Sequence, residues 1–561
     1  MVDTPMHALL PSFHKDGFAR ASLPPPDQWP ELRFDLPGLR LPPVLNCVQR
    51  LLDNAVAETG GAATAILWKD KAWSYADLAA AADRIAHVLV EEGGIVPGNR
   101  VLLHGPNTPH MLACWLAIVK AGGIAVTTMA MLRTRELQQV VDKARIALAL
   151  CAEHLVGELE PLLGSSPLEQ VITFGGPGGE LERLMAAKPD RFATVPTSQD
   201  DVCLIAFTSG TTGEPKATMH FHRDVLAMCE TFARHMLRAG PGDIFTGTPP
   251  IGFTFGLGGL LVFPLYFRAA IALADGNTPA ALAEAIARHR ATHVFSAPRA
   301  YRAIAADPAA DLSSVRQCVS AGEALPGEVS DLWYRRTGLR IIDGIGSTEM
   351  IHIFISAAGD HIRPGATGKP VPGYQAALFD ADGHRIEGPG TGRLGVRGPT
   401  GCKYLADARQ KDYVMNGWNM TGDIYRRDAE GCYWWVSRVD DMILSSGYNI
   451  AGPEVESAIL LHPDVEECAV VGQPDPERGQ IVKAVVVPRK GVHAGPDLAR
   501  ALQEHVKKTL APYKYPRAVE FSACLPRTVT GKLQRHALRG VAVAPVPGPG
   551  RAPAAARTLR P

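Results

Sequence analysis

Short apolar runs that end in Gly, Ser or Pro recur along this chain, and helical patterns follow several of them. The clearest are residues 100–105 (RVLLHG), 147–152 (ALALCA), 170–175 (QVITFG), 203–210 (CLIAFTSG), 291–298 (ATHVFSAP), 317–322 (QCVSAG) and 340–346 (RIIDGIG). Unbroken apolar runs of this length fit strands buried on both faces, and the helical stretches between them fit the crossovers that parallel strands need. The spacing therefore predicts an α/β fold, with strand-end loops facing a ligand crevice. With 561 residues there is chain enough for several domains.

The texture changes near residue 440. Beyond it, residues 467–473 (ECAVVGQ) and 483–490 (KAVVVPRK) read as β-runs separated by residues 473–480. Helical patterns at 453–462 and 497–510 flank them. The expected organisation is a domain over 1–439, a compact α+β domain over 440–540 and a Pro/Ala-rich tail over 541–561, predicted disordered. Residues 1–45 are Pro-rich and predict a surface wrap without regular structure.

Charge narrows the partners. Fifty-seven basic residues balance 57 acidic ones, which gives no support for nucleic acid or an anionic membrane as the main partner. The ten cysteines contain no Cys-x-x-Cys pair, so they predict reduced, mostly buried thiols in a cytoplasmic protein. No secretion signal is expected at the N-terminus. The most apolar run, residues 251–267, is short for a membrane span. Gly252, Gly256, Gly258, Gly259 and Pro264 interrupt it, so it reads as a buried segment lining a cavity.

Residues 208–216 (TSGTTGEPK) follow one of the predicted strands directly. Gly210 and Gly213 allow backbone conformations that other residues resist. The hydroxyls and N–H groups of such a run can surround phosphate oxygens, and Lys216 adds a mobile positive charge. This is not a Walker A loop, because Glu214 and Pro215 stand between the last glycine and the lysine. Taken alone, the segment fits a polar surface loop as well as an anion site.

Its context separates the two readings. The loop resembles the phosphate-binding loop of the adenylate-forming superfamily, which includes acyl-CoA synthetases, and the resemblance runs through ordered motifs over roughly residues 45–540. It implies a large N-terminal adenylate-forming domain of several β-sheets and helices, followed by a small mobile C-terminal domain. ATP, Mg2+ and coenzyme A are the implied cofactors and co-substrate. Thr208, Ser209, Gly210, Thr211, Thr212, Gly213 and Lys216 would hold phosphates. Gly322, Glu323 and Ala324 would lie against adenine, with Asp343 and Gly344 near its edge. Thr348 would sit by the α-phosphate, and Glu349 would be the metal ligand, a role that suits Mg2+ beside phosphate oxygens. Asp423 would accept hydrogen bonds from the ribose hydroxyls, supported by Arg438. Asp440 matches the hinge, Gly447 the glycine beside the pantetheine arm, and Lys532 the catalytic lysine of the C-terminal domain. Lys532, Glu349, Thr212 and Lys216 form the implied catalytic set. Three positions depart from the family pattern: Ala217 and Ser437 where Gly is usual, and Leu444 where Lys is common.

The acid is less constrained. Residues 341–354 resemble benzoate-type CoA ligases, while residues 248–259 and the Pro-rich N-terminus look closer to 2-aminobenzoate-CoA ligases. The expected pocket is bounded by Phe253, Phe255, Ile345, His352 and Ile353, which would suit a flat aromatic carboxylate. A carrier protein in place of coenzyme A, and a non-catalytic nucleotide-binding module, stay open as alternatives, as does a homodimer.

Overall fold

In a computed structural model, residues 9–176, 179–208, 215–445, 448–527 and 533–539 are described. The chain divides into two compact units, one ending at Trp435 and the other beginning at Val436.

Among the described residues, the first unit contains three sheets. One has six strands in the order Gln170–Phe174, Leu148–Ala152, Arg100–Gly105, Ile124–Met129, Val202–Thr208 and Lys216–Phe221. Its first five strands pair in parallel, and the last closes an antiparallel hairpin with the fifth. The strands Arg100–Gly105 and Ile124–Met129 are buried at every position, as expected for a parallel sheet covered on both faces. A nine-stranded sheet places Ala270–Leu273, Ile244–Gly247, His293–Ser296, Gln317–Ser320 and Ile342–Gly346 side by side in parallel. Ile353–Ser356 then turns back antiparallel against Ile342–Gly346. The third sheet is built largely from antiparallel strands, centred on Gly390–Arg397 and Trp418–Arg427.

The apolar run at 251–267 folds as short helices, Thr254–Leu257 and Phe263–Phe267, joined by a wide π-turn over Gly258–Val262. Two of its glycines permit close packing. A Cβ on Gly258 would come within 2.7 Å of the His352 ring, and one on Gly259 within 2.5 Å of Phe295. Among the described residues, no helix is long and apolar enough to cross a membrane.

The N-terminal segment has more local structure than its composition suggests. It forms the short helix Phe18–Ala21 and single turns at Pro26–Gln28 and Pro37–Leu39. Backbone N–H groups of Leu10 and Phe13 donate to Asp200 and Asp201. All ten cysteines are free thiols, nine of them buried.

The second unit is an α+β domain. Val465–Asp475 and Gly479–Pro488 form one long antiparallel hairpin, with helices Gly452–Leu460 and Pro496–Thr509 beside it. The strands extend into residues 473–480, which the sequence suggested as a separator. Only Pro476, Glu477 and Arg478 remain as the turn, held by Asp475 Oδ1 accepting from the N–H groups of Glu477 and Arg478. The Asp side chain closes the turn locally, so no longer loop is required.

Candidate active site

The hairpin Val202–Thr208/Lys216–Phe221 sets the base of the site. Thr208 and Lys216 are its last paired residues, directly opposite each other. Ser209, Gly210, Thr211, Thr212 and Gly213, expected between them, lie outside the described residues. A second segment, residues 401–405, runs along the outer strand of the hairpin. Met219 N–H donates to the Lys403 carbonyl and Leu405 N–H to the Ala217 carbonyl, each at 2.8 Å.

Adjacent residues of that segment reach different groups. Tyr404 donates its hydroxyl to Glu349 Oε1 at 2.6 Å, and its ring face lies 5.2 Å from Lys216 Nζ. Lys403 is fully buried and donates to Asp224 Oδ2 at 3.0 Å and to the Gly401 carbonyl at 3.0 Å. Asp224 also accepts from the Phe221 N–H, capping the helix His222–Met228. His220 lies beside this pair, with Nδ1 3.8 Å from Asp224, and donates from Nε2 to the Thr348 carbonyl at 2.8 Å. Lys403 and Tyr404 are thus tied, through one route each, to Thr348 and Glu349.

Burial and charge act against each other here. Burial alone would raise the Asp224 carboxyl, but the Lys403 ammonium and the His220 contact hold it below the usual carboxylate range. Burial pushes the His220 imidazole down, which fits a neutral ring donating from Nε2. Burial, followed by the Glu349 charge, drives the Tyr404 hydroxyl well above its ordinary range, so it remains a donor.

Thr348 and Glu349 lie in a 3-10 turn, Thr348–Met350, between the antiparallel strands Ile342–Gly346 and Ile353–Ser356. Ser347 Oγ caps the turn by accepting from the Met350 N–H and lies 3.2 Å from the Tyr413 hydroxyl. Ile351, just past the turn, has φ of 64°, a region that β-branched residues rarely adopt. The turn is therefore held in place at some backbone cost, a pattern that concentrates at functional sites. Glu349 is buried, and its carboxylate fits a Mg2+ ion that takes few protein ligands and completes its shell with substrate oxygens and water.

The expected adenine residues meet through sheet register. Ser320, the end of one strand, pairs with Asp343 on the next, which sets residues 321–324 beside Asp343. Gly322 has φ of 92°, which a side chain would resist. Glu323 and Ala324 follow it in the strand-end loop. Asp343 Oδ1 is buried without a hydrogen-bond partner among the described residues, and burial raises its carboxyl to about 7. An unpaired buried oxygen of this kind suits an amino donor from a ligand. Gly344 leaves room for Ile353, whose side chain would lie 2.6 Å from an added Cβ. Asp423 is buried on the strand Trp418–Arg427, with Trp435 Nε1 3.4 Å from its Oδ1.

The expected acid pocket is brought together in part. His352 stacks obliquely on Phe255 at 5.9 Å and also packs on Phe232 at 5.0 Å and Phe263 at 4.7 Å. It is 3% exposed, and burial lowers its imidazole to about 3, so it is a neutral, largely enclosed side chain. Phe253 and Phe255 are half-buried at the start of the helix Thr254–Leu257. Ile345 and Ile353 lie on the paired strands that flank the Thr348–Met350 turn. The ring contacts join His352 to Phe255 and also enlist Phe232 and Phe263, which the sequence did not single out.

Comparison with known proteins decides the family. The AMP-binding enzyme profile matches residues 52–404, and the profile of the AMP-binding enzyme C-terminal domain matches residues 454–532. The chain belongs to the AMP-binding enzyme family. It is 36% identical to the benzoate–CoA ligase of Thauera aromatica over 90% of this chain and 97% of that one. It is 32% identical to the human mitochondrial acyl-coenzyme A synthetase ACSM3 over 83% of each chain. Among solved structures, the anthranilate CoA ligase AuaEII in complex with anthranoyl-AMP superposes with a TM-score of 0.85, at 32% identity, covering 90% of this chain and 98% of that chain.

In the second unit of this AMP-binding enzyme, Arg438 and Asp440 are exposed. The Asp440 carbonyl accepts from Arg539 at 2.6 Å, and the same guanidinium reaches Asp441 Oδ1 at 2.7 Å. Gly447 and Lys532 lie outside the described residues. Tyr404, Lys403, Asp224, His220 and Tyr413 were not singled out from the sequence. A lysine and a histidine inside otherwise apolar β-runs (CKYL and ATMHF) were the available signal, because buried charge needs a partner.

Proposed function

We propose that this AMP-binding enzyme ligates an aromatic carboxylic acid to coenzyme A through an acyl-adenylate, with 2-aminobenzoate as the preferred acid and benzoate next. The enzyme class is that of an acid–thiol ligase, the class its relatives carry in their names. The meeting of Lys216 and Glu349 on the two sides of Tyr404 carries the adenylating part of the reading. That geometry supports the reading because a cation able to meet phosphate oxygens and a carboxylate able to hold a metal ion lie around one point. The acid rests on the enclosed aromatic cluster at His352 and on the likeness to a benzoate ligase and an anthranilate ligase.

In the first half-reaction a carboxylate oxygen of the acid attacks the α-phosphorus of ATP, and the bond to pyrophosphate breaks. Lys216, Thr212 and Lys532 stabilise negative charge on the phosphoryl oxygens as it develops. Asp343 and residues 322–324 orient the base, and Asp423 with Arg438 the ribose. A Mg2+ ion held by Glu349 would neutralise phosphate charge. In the second half-reaction the thiol sulfur attacks the acyl carbon, its proton is released and AMP leaves. The smaller domain turns about Asp440 between the two, as hinges at element ends do.

A carboxylate panel assayed for AMP release with coenzyme A tests this proposal. Benzoates, led by 2-aminobenzoate, should give the highest kcat/KM. Straight-chain fatty acids outrunning every benzoate would overturn the aromatic reading. A carrier protein replacing free coenzyme A as the better acceptor would overturn the second half-reaction.

A further inference from the structure

Tyr404 offers two different surfaces to two opposite charges. Its hydroxyl donates to Glu349 at 2.6 Å, and its ring face lies 5.2 Å from the Lys216 ammonium. A carboxylate and an ammonium in a poorly hydrated site attract strongly and tend to close into an ion pair. Such a pair would have to be broken before Lys216 could meet a phosphate and Glu349 a metal. An aromatic face holds a cation without neutralising it, and a hydroxyl holds a carboxylate while leaving its charge intact.

From this geometry we infer that Tyr404 is a positioning residue, which keeps Lys216 and Glu349 apart and separately aimed before ATP binds. The inference rests on the adenylate-forming reading above. The surroundings fix the tyrosine on several sides. The backbone of residues 401–405 is bonded to the strand Lys216–Phe221, so the ring that serves Lys216 is mounted on the strand that carries it. Tyr413 meets the ring edge-on at 5.8 Å and touches Ser347 of the Glu349 turn. Thr400 donates to the Met350 carbonyl at 2.9 Å, joining the same two segments a second time.

The two surfaces can be removed separately. Tyr404→Phe keeps the ring and deletes the hydroxyl; Tyr404→Leu deletes both. Equilibrium dialysis of ATP with the full chain, with and without Mg2+, reads the effect independently of turnover. For Tyr404→Phe, the gain in ATP affinity on adding Mg2+ should fall about tenfold, the scale of one hydrogen bond to a charged group, while Mg2+-free binding stays near wild type. For Tyr404→Leu, Mg2+-free binding should weaken as well. Unchanged Mg2+ enhancement in Tyr404→Phe overturns the inference, as does a lower melting temperature with both binding constants intact. Should Tyr404→Leu fail to fold, the near-isosteric Phe variant still decides. Wild type that binds MgATP but releases no AMP with any acid would sink the proposed function instead, leaving the dialysis result to judge Tyr404.

Discussion

His220 donates its Nε2–H to the carbonyl of Thr348 at 2.8 Å, from a ring that is completely buried. This bond crosses from the strand Lys216–Phe221 to the turn that carries Glu349. His220→Ala should leave that carbonyl unsatisfied and lower stability by about 1–3 kcal/mol. It should also raise KM for ATP more than KM for the acid. His220→Gln can return a donor near the Nε2 position and should recover most of the ATP effect. Chemical denaturation and initial rates of both variants check this; equal effects on both KM values would remove the link to the turn.

Lys403 and Asp224 form an ion pair with no exposed side-chain surface. Breaking one side of such a pair leaves a buried charge alone, at a typical cost of about 3–5 kcal/mol. Lys403→Met is therefore expected to destabilise the larger unit severely. The double variant Lys403→Met/Asp224→Leu should be more stable than Lys403→Met alone, because no charge is left stranded. It should still show weakened ATP use, since His220 loses its neighbour. Denaturant midpoints for wild type and the two variants check this order of stability.

Asp343 gives a pH signature. Burial holds its carboxyl at about 7 in the folded chain, against an ordinary value of 3.8. Below about pH 4 it is protonated whether the chain is folded or not, and it contributes no pH dependence. Between that point and 7 the folded state holds a proton that the unfolded state has lost, so stability falls as pH rises. Above 7 the full penalty is present. Asp343→Asn should flatten this part of the profile, gaining melting temperature relative to wild type from pH 5 to pH 8. Parallel profiles for the two proteins would contradict the buried, unpaired carboxylate.

Much of the site was legible in the sequence because its motifs are contiguous. Ser320 to Ala324 starts on the last residue of one strand and Asp343 to Glu349 runs off the end of another, so their order and strand-end position could be read without knowing the sheet. The Lys403–Asp224–His220 chain could not be read that way. Its members are separated by 179 residues at the widest bond, and only the pairing of residues 401–405 with Lys216–Phe221 brings them together. The third sheet escaped for a related reason: Gly390–Arg397 has glycines at three of its eight positions and lacks the continuous apolar run that marks a buried parallel strand. His352 was expected at a pocket wall beside Phe255. The glycine at 258, rather than any polar partner, explains how closely its ring is enclosed.

Lys532 carries a prediction that follows from the resemblance and the family match, which ends at this residue. Lys532→Ala should lower acid-dependent pyrophosphate release by about 10²–10³, the usual effect of losing one preorganised charge on the reacting group. Its melting temperature should stay within a degree or two of wild type, so that the loss reads as a loss of catalysis and not of the fold. Transfer from a chemically prepared acyl-adenylate to coenzyme A should be much less affected. Retained adenylation would remove the lysine from the first half-reaction.

His352 allows the choice of acid to be tested against charge. Its imidazole is lowered to about 3, and the Phe255 backbone faces the ring without closing a hydrogen bond. The ring is therefore neutral throughout the working range and can accept a hydrogen bond from an ortho amino group. The ratio of kcat/KM for 2-aminobenzoate to that for benzoate should then stay constant from pH 6 to pH 9. A step in that ratio near pH 6–7 would mean that the ring ionises and is wetter than its packing implies. His352→Phe keeps the aromatic volume among Phe232, Phe255 and Phe263 while deleting both nitrogens. If a ring nitrogen accepts from the substrate amino group, this variant should lose about tenfold on 2-aminobenzoate and little on benzoate, the scale of one hydrogen bond at about 1.4 kcal/mol. Equal losses on the two acids would show that His352 only packs the wall, and the preference for an ortho amino group would have to come from another residue.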